Sequence, residues 1–148
     1  MELFVPKNAE VVVRNNKFAI ASLFIRNDFG SISWTIHYIY LNPNSYTDPF
    51  TIPVSKSGTV HKALYTLQKG KLTLFVDDIP TQIKAGQMFC IVQGQKHLFF
   101  NASEEQAVIV MQYPSLFRFN KKLEKTKGIE INKKVMEELD PSSAASSS

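Results

Sequence analysis

Three histidines (His37, His61 and His97), one cysteine (Cys90) and an aspartate pair (Asp77 and Asp78) are the side chains of this chain best suited to metal, nucleophilic or acid–base chemistry. Their spacing does little to combine them. Cys90 and His97 are close enough in sequence to suggest a thiol–imidazole dyad, but Gly94 between them marks a tight turn, which puts them on opposite sides of a hairpin. Cys90 also stands in "QMFCIV" between Phe89 and Ile91. Apolar surroundings disfavour a thiolate, so a buried structural thiol is expected there. Asp77 and Asp78 fall in "FVDDIP", where a hairpin turn calls for aspartate on backbone grounds. No G-x-S-x-G elbow, phosphate-cradling glycine loop or dinucleotide fingerprint occurs.

The elements that must position these groups read as strands. "EVVVR", "KFAIASLFI", "SISWTIHYIYL", "TVHKALYTL", "KLTLFV", "MFCIV", "HLFF" and "QAVIVMQY" are rich in β-branched and aromatic residues, and turn-forming segments separate them. Such regular spacing predicts an all-β sandwich or barrel. Pro6, Pro43, Pro49, Pro53 and Pro80 are placed before or between strands, where a missing N–H is tolerable. A short helix is expected only near the C-terminus, in "NKKVMEELD", with Asn132 as cap and Val135, Met136 and Leu139 on one side.

At 148 residues the chain is the size of one domain, large enough to bury about two thirds of its unfolded surface without a disulfide or metal. A single cysteine rules out a disulfide framework within the chain and points to a cytosolic or nuclear protein. No apolar run approaches a membrane span and the start carries no signal-peptide pattern, so no membrane association is expected. The net charge of +4 is unevenly spread, with seven Lys or Arg against Glu124 and Glu130 between Arg118 and Lys134. Arg118, Lys121, Lys122 and Lys125 are the candidate contacts to DNA or to an acidic protein. Without an aromatic ladder, a solvated tail is the favoured role of this segment. The organisation expected is a domain over 1–116, a basic extension with the short helix over 117–140, and a disordered Ser/Ala tail over 141–148.

The stretch "AGQMFCIVQGQKHLFFN" sets Gly86, Gly94, His97 and Asn101 at fixed offsets. The glycines mark tight turns, and His97 and Asn101, four apart on a strand, share one face. This spacing resembles the second signature motif of the cupin superfamily, departing from it at Val92, where a proline usually stands. "ALYTLQKGKLTL" looks like the end of the first motif, with Gly70 as its glycine. The resemblance implies a cupin double-stranded β-helix, or jelly roll. It also assigns the metal ligands of enzymatic cupins to Ala63 and to positions between Lys56 and Thr59, and the residues there do not ligate. His61 is out of register, and with His97 it offers at best two ligands where a stable site wants three or four. No metal and no cofactor are expected, and the histidines are expected to be structural.

Within the superfamily, the string from Tyr65 to Tyr113 is similar to the C-terminal cupin domain of the centromere protein C family. The similarity runs through Tyr65 to Leu72, Pro80 and Ile83, Gly86 and Phe89, and Asn101, then through Glu104 and Glu105 to Val108–Gln112. What it implies is a non-enzymatic dimerisation domain of a nuclear centromere or kinetochore scaffold, one that also meets assembly factors such as a CENP-A loading factor. The nucleosome-binding motif of that family is absent, so the chain would be the dimerisation end of a longer protein. The alternatives are a metal-free cupin that binds a small molecule and a metal-dependent cupin enzyme.

Dimerisation is also expected on physical grounds. "QMFCIV" and "QAVIVM" are apolar on both parities, so both faces of these strands need cover. The candidate interface residues are Phe24, Trp34, Ile36 and Tyr38.

Overall fold

The structure, a computed structural model, describes residues 6–52, 60–117 and 119. Eleven strands are formed among the described residues: β1 (Glu10–Arg14), β2 (Phe18–Arg26), β3 (Ile32–Leu41), β4 (Ser45–Tyr46), β5 (Phe50–Thr51), β6 (Lys62–Lys69), β7 (Lys71–Val76), β8 (Ile79–Lys84), β9 (Met88–Val92), β10 (Lys96–Asn101) and β11 (Ala107–Tyr113). They make a six-stranded sheet ordered β1-β2-β3-β11-β6-β9 and a five-stranded one ordered β4-β10-β7-β8, with β5 also pairing β10. All pairings are antiparallel. The all-β jelly roll read from the sequence is the observed architecture. No helix of the described residues is long and apolar enough to cross a membrane. The expected C-terminal helix, the Ser/Ala tail, and Arg118, Lys121, Lys122 and Lys125 lie outside the described residues.

Strand alternation builds the core. From the larger sheet Phe18, Ile20, Ile39, Leu41, Ala63, Tyr65, Leu67, Ala107, Ile109 and Met111 face inward, and Leu72, Leu74, Ile83 and Phe99 meet them from the smaller one. Buried apolar faces of this kind supply the main driving force for folding.

Three local expectations need correction. Gly86 and Gly94 do turn the chain at positive φ, 91° and 83°, but β9 and β10 are not a hairpin. β9 pairs β6 in the larger sheet and β10 pairs β7 in the smaller one, so the turn between them crosses from one sheet to the other. A glycine turn specifies reversal; which sheet receives the next strand is decided by packing. Pro80, expected between strands, lies inside β8, and this is tolerable because β8 is an edge strand. Cys90, expected to be buried, is exposed. Phe89 and Ile91 turn inward on β9, so the residues between and beside them turn out.

The aspartate pair is a turn, as read. Val76 pairs Ile79, and the two loop residues Asp77 and Asp78 have φ of 49° and 69°, the signature of a type I′ hairpin. Gly70, between β6 and β7, has φ 90°, and a Cβ there would stand 3.1 Å from the Cα of Ala107. Glycine is required at that position for conformation and for space together.

Candidate functional site

Two regions can carry function: the barrel interior around His97, and the outer face of the larger sheet.

In the interior, β10 turns His97, Phe99 and Asn101 inward, and the two polar members are 1% and 0% exposed. The Nδ1–H of His97 donates to the Gln95 carbonyl at 3.2 Å, which leaves Nε2 to accept from the Tyr65 hydroxyl at 2.6 Å. The Phe50 ring lies 4.3 Å from the imidazole, and Tyr65 stacks on Phe89 at 5.1 Å. Burial lowers the pKa of His97 to about 4, so the ring is neutral near pH 7, and burial holds the Tyr65 phenol well above its ordinary range. Asn101 ties strand ends together. Its amide donates to the carbonyls of Leu41 (3.2 Å), Asn42 (3.3 Å) and Glu105 (2.6 Å), while its oxygen accepts from the Ser103 amide at 3.0 Å and hydroxyl at 2.7 Å.

The chain after β11 packs along the inner side of β3. Thr35 donates to the Ser115 carbonyl at 2.6 Å and accepts from the Phe117 amide at 3.0 Å. His37 is 0% exposed. Its Nε2–H donates to the Phe117 carbonyl at 2.9 Å, so Nδ1 accepts from the Ser22 hydroxyl at 2.6 Å. The rings of Phe117 and Phe119 pack edge-on against this imidazole, and Phe119 reaches Phe50. Both phenylalanines belong to the segment read from the sequence as the start of the extension, and both are part of the barrel filling. Burial lowers His37 to about 4 as well. His61 stands apart from these networks, its ring beside that of Tyr113.

Among the described residues the donors do not gather into a metal site. Ala63 offers no ligand, the Nε2 of His97 is engaged by Tyr65, and no three His, Cys, Asp or Glu converge among the described residues. Elemental analysis of protein expressed in metal-supplemented medium is expected to find far less than one iron, manganese or zinc per chain. A value near one would overturn this assignment. A cleft of about 240 Å³ lined by Lys71, Leu72, Thr73, Gln82, Ala102 and Ser103 lies on the smaller sheet, away from the histidines.

The outer face of the larger sheet is different in kind. Register places Trp34, Ile36, Tyr38 and Tyr40 of β3 on it, beside Ala19, Ala21, Leu23 and Ile25 of β2. On the other flank stand Val108 and Val110 of β11, then Leu64 of β6, then Met88, Cys90 and Val92 of β9. The second apolar parity of "QMFCIV" and of "QAVIVM" therefore belongs to the same surface as three of the four candidate interface residues. The fourth, Phe24, pairs Thr35 and takes the parity of Ser22 and Ile20, on the opposite face. At the Tyr40 end the face is covered in part by Ala9. At the other end it is open, with Trp34 45%, Ile25 41% and Met88 59% exposed. Scattered exposed apolar residues are ordinary on soluble proteins, whereas apolar side chains gathered on one face of five neighbouring strands are less common.

No family model and no curated protein matches the chain. Solved structures match it at the level of fold. The cupin domain of Schizosaccharomyces pombe Cnp3 is 13% identical over 71% of this chain and 70% of that one, with a TM-score of 0.55. A variant of Bacillus subtilis oxalate decarboxylase OxdC is 11% identical over 72% of this chain and 28% of that one, at 0.60. An oxalate oxidase is 20% identical over 69% of this chain and 53% of that one, at 0.56. The fold is the cupin fold, shared here by enzymes and by the Cnp3 domain.

Proposed function

We propose that this cupin-fold domain acts without enzymatic chemistry, as the homodimerisation module of a nuclear centromere scaffold, and that it presents a surface to centromere assembly factors such as a CENP-A loading factor. The observation that carries the proposal is the open apolar outer face of the six-stranded sheet, where Trp34, Ile36 and Tyr38 meet the outward residues of β9 and β11. The filled interior supports it from the other side. Where a cupin enzyme needs ligands and an entry, this chain has a Tyr65–His97 hydrogen bond and a Phe117 plug. The same filling weighs against a small-molecule-binding cupin. The spacing resemblance to the centromere protein C domains, together with the shared fold of the Cnp3 domain, favours a centromeric scaffold over other non-enzymatic cupins.

Light scattering coupled to size exclusion is expected to report about twice the 16.8 kDa chain mass at micromolar concentration. Ile36→Asp is expected to give a folded monomer, because a buried unpaired carboxylate is costly at an interface. A wild-type monomer would remove the dimer. For the cellular part, the tagged full-length protein should gather in centromeric foci, and a diffuse signal would count against the scaffold assignment.

A further inference from the structure

We propose that the second copy docks with Gln112 at the two-fold axis, its side-chain amide paired with that of the partner's Gln112. This rests on the homodimer reading and adds where the axis runs.

The position is central across the sheet and lies in the middle of the open rows, between those of Tyr38 and Trp34. β11 is flanked by β3 and β6 in the middle of the larger sheet. Gln112 pairs Ile36 on one side and Leu64 on the other, and the same row continues to Leu23 and Cys90. Along its own strand the neighbouring outward residue is Val110, half-buried, whereas Gln112 is exposed. A polar side chain thus stands at the centre of an apolar row, and no side-chain hydrogen bond engages its amide among the described residues.

That arrangement selects the occupant. An apolar partner laid on this row would strand a carboxamide with two donors and one acceptor, at a desolvation cost that apolar burial must then offset. Ile36, Leu64 and Val110 cannot satisfy it. A second copy can, because an amide is its own complement. Across a two-fold axis each N–H meets the other's oxygen, giving two hydrogen bonds by symmetry. The lengths agree as well. Sheets packed face to face stand about 10 Å apart, and two glutamine side chains, each reaching roughly 5 Å when extended, meet across that gap with about 2.9 Å between paired atoms once they bend from full extension. The open part of the face, from the Trp34 row to the Tyr38 row, covers roughly 300 Å² in projection, because the Tyr40 end is already covered. Side-chain relief and the flanking turns supply the rest of the roughly 600–1,000 Å² that a stable interface buries per partner. The like-charge cost is small, since Lys62 is the charged member of the rows on either side of Gln112. A polar residue in an otherwise apolar seam is also a known device for fixing register between copies.

The test is charge complementation. Gln112→Glu and Gln112→Lys each place like charges against each other only if the residue meets its own symmetry mate. Each variant alone should then lose at least about a hundredfold in self-association and run as a monomer with an unchanged far-ultraviolet circular dichroism spectrum. An equimolar mixture should recover the dimer mass by light scattering. If the wild type is a dimer and the variants also dimerise alone, or if their mixture stays monomeric, the axis lies elsewhere and the inference fails while the dimer stands. A monomeric wild type overturns both. Loss of fold in either variant overturns the inference too, because an exposed position on a sheet face tolerates a charge.

Discussion

Lowering the pH from 6.5 to 4 is expected to remove on the order of 3 kcal/mol of folding stability for each of His37 and His97. Both rings are held neutral in the folded protein, with pKa values lowered to about 4 by burial, against about 6.5 once exposed. Over that window the unfolded chain therefore binds protons that the folded one refuses. The stabilisation is fully present above pH 6.5 and is lost as the pH falls through 4. Asp48 works in the opposite sense, since burial raises its carboxyl, and it offsets part of the loss. Urea unfolding between pH 7 and pH 4.5 should show the midpoint falling steeply, and His97→Gln should flatten the dependence by about one ring's share. A midpoint that stays level over this range would mean that the imidazoles are not buried neutral as described.

Phe99→Ala is expected to cost about 3–5 kcal/mol. The ring is 0% exposed and is contacted by Phe50, Tyr65, Phe89 and His97, with centroids 5.3 to 6.2 Å away, so truncation opens a void that four rings must line. Phe29→Ala is the natural control, because that side chain is 93% exposed in the turn between β2 and β3. Its change should stay within about 0.5 kcal/mol. Denaturant titration of the two variants distinguishes a filled barrel from an open one. A loss at Phe99 no larger than at Phe29 would indicate an interior loose enough to admit a ligand.

How far the fold was legible depends on which contacts are local. The Asp77–Asp78 turn could be read because both residues and the flanking strands sit within a few positions of one another. Strand existence was equally plain for β2, β3 and β11, whose β-branched and aromatic runs have no competing helical period. β8 escaped because "IPTQIK" carries a proline and mostly solvent-facing side chains, as an edge strand can. The exposure of Cys90 is not legible, because a run apolar on both parities gives no sign of which parity is the core. Phe24 resembles Trp34, Ile36 and Tyr38 in size, but its face follows from the pairing of Phe24 with Thr35, which neither strand states alone. The His37 site was the least accessible. His37 and Phe117 are 80 positions apart in the chain, and nothing near the histidine announces that a carbonyl will arrive there.

The place of β11 in the larger sheet also sets the order in which the molecule can be made. The final strand of the described fold inserts between β3 and β6, so the β1-β2-β3 ribbon and the β6-β9 pair have no ladder joining them until Ala107–Tyr113 is available. A nascent chain short of that strand holds two half-sheets with unpaired inner edges, the state most prone to wrong pairing with its neighbours. The continuous apolar face does not yet exist in such a chain. Synthesis on the ribosome thus withholds the complete six-stranded sheet until its central strand has emerged, and a message truncated before Ala107 yields exposed strand edges in its place.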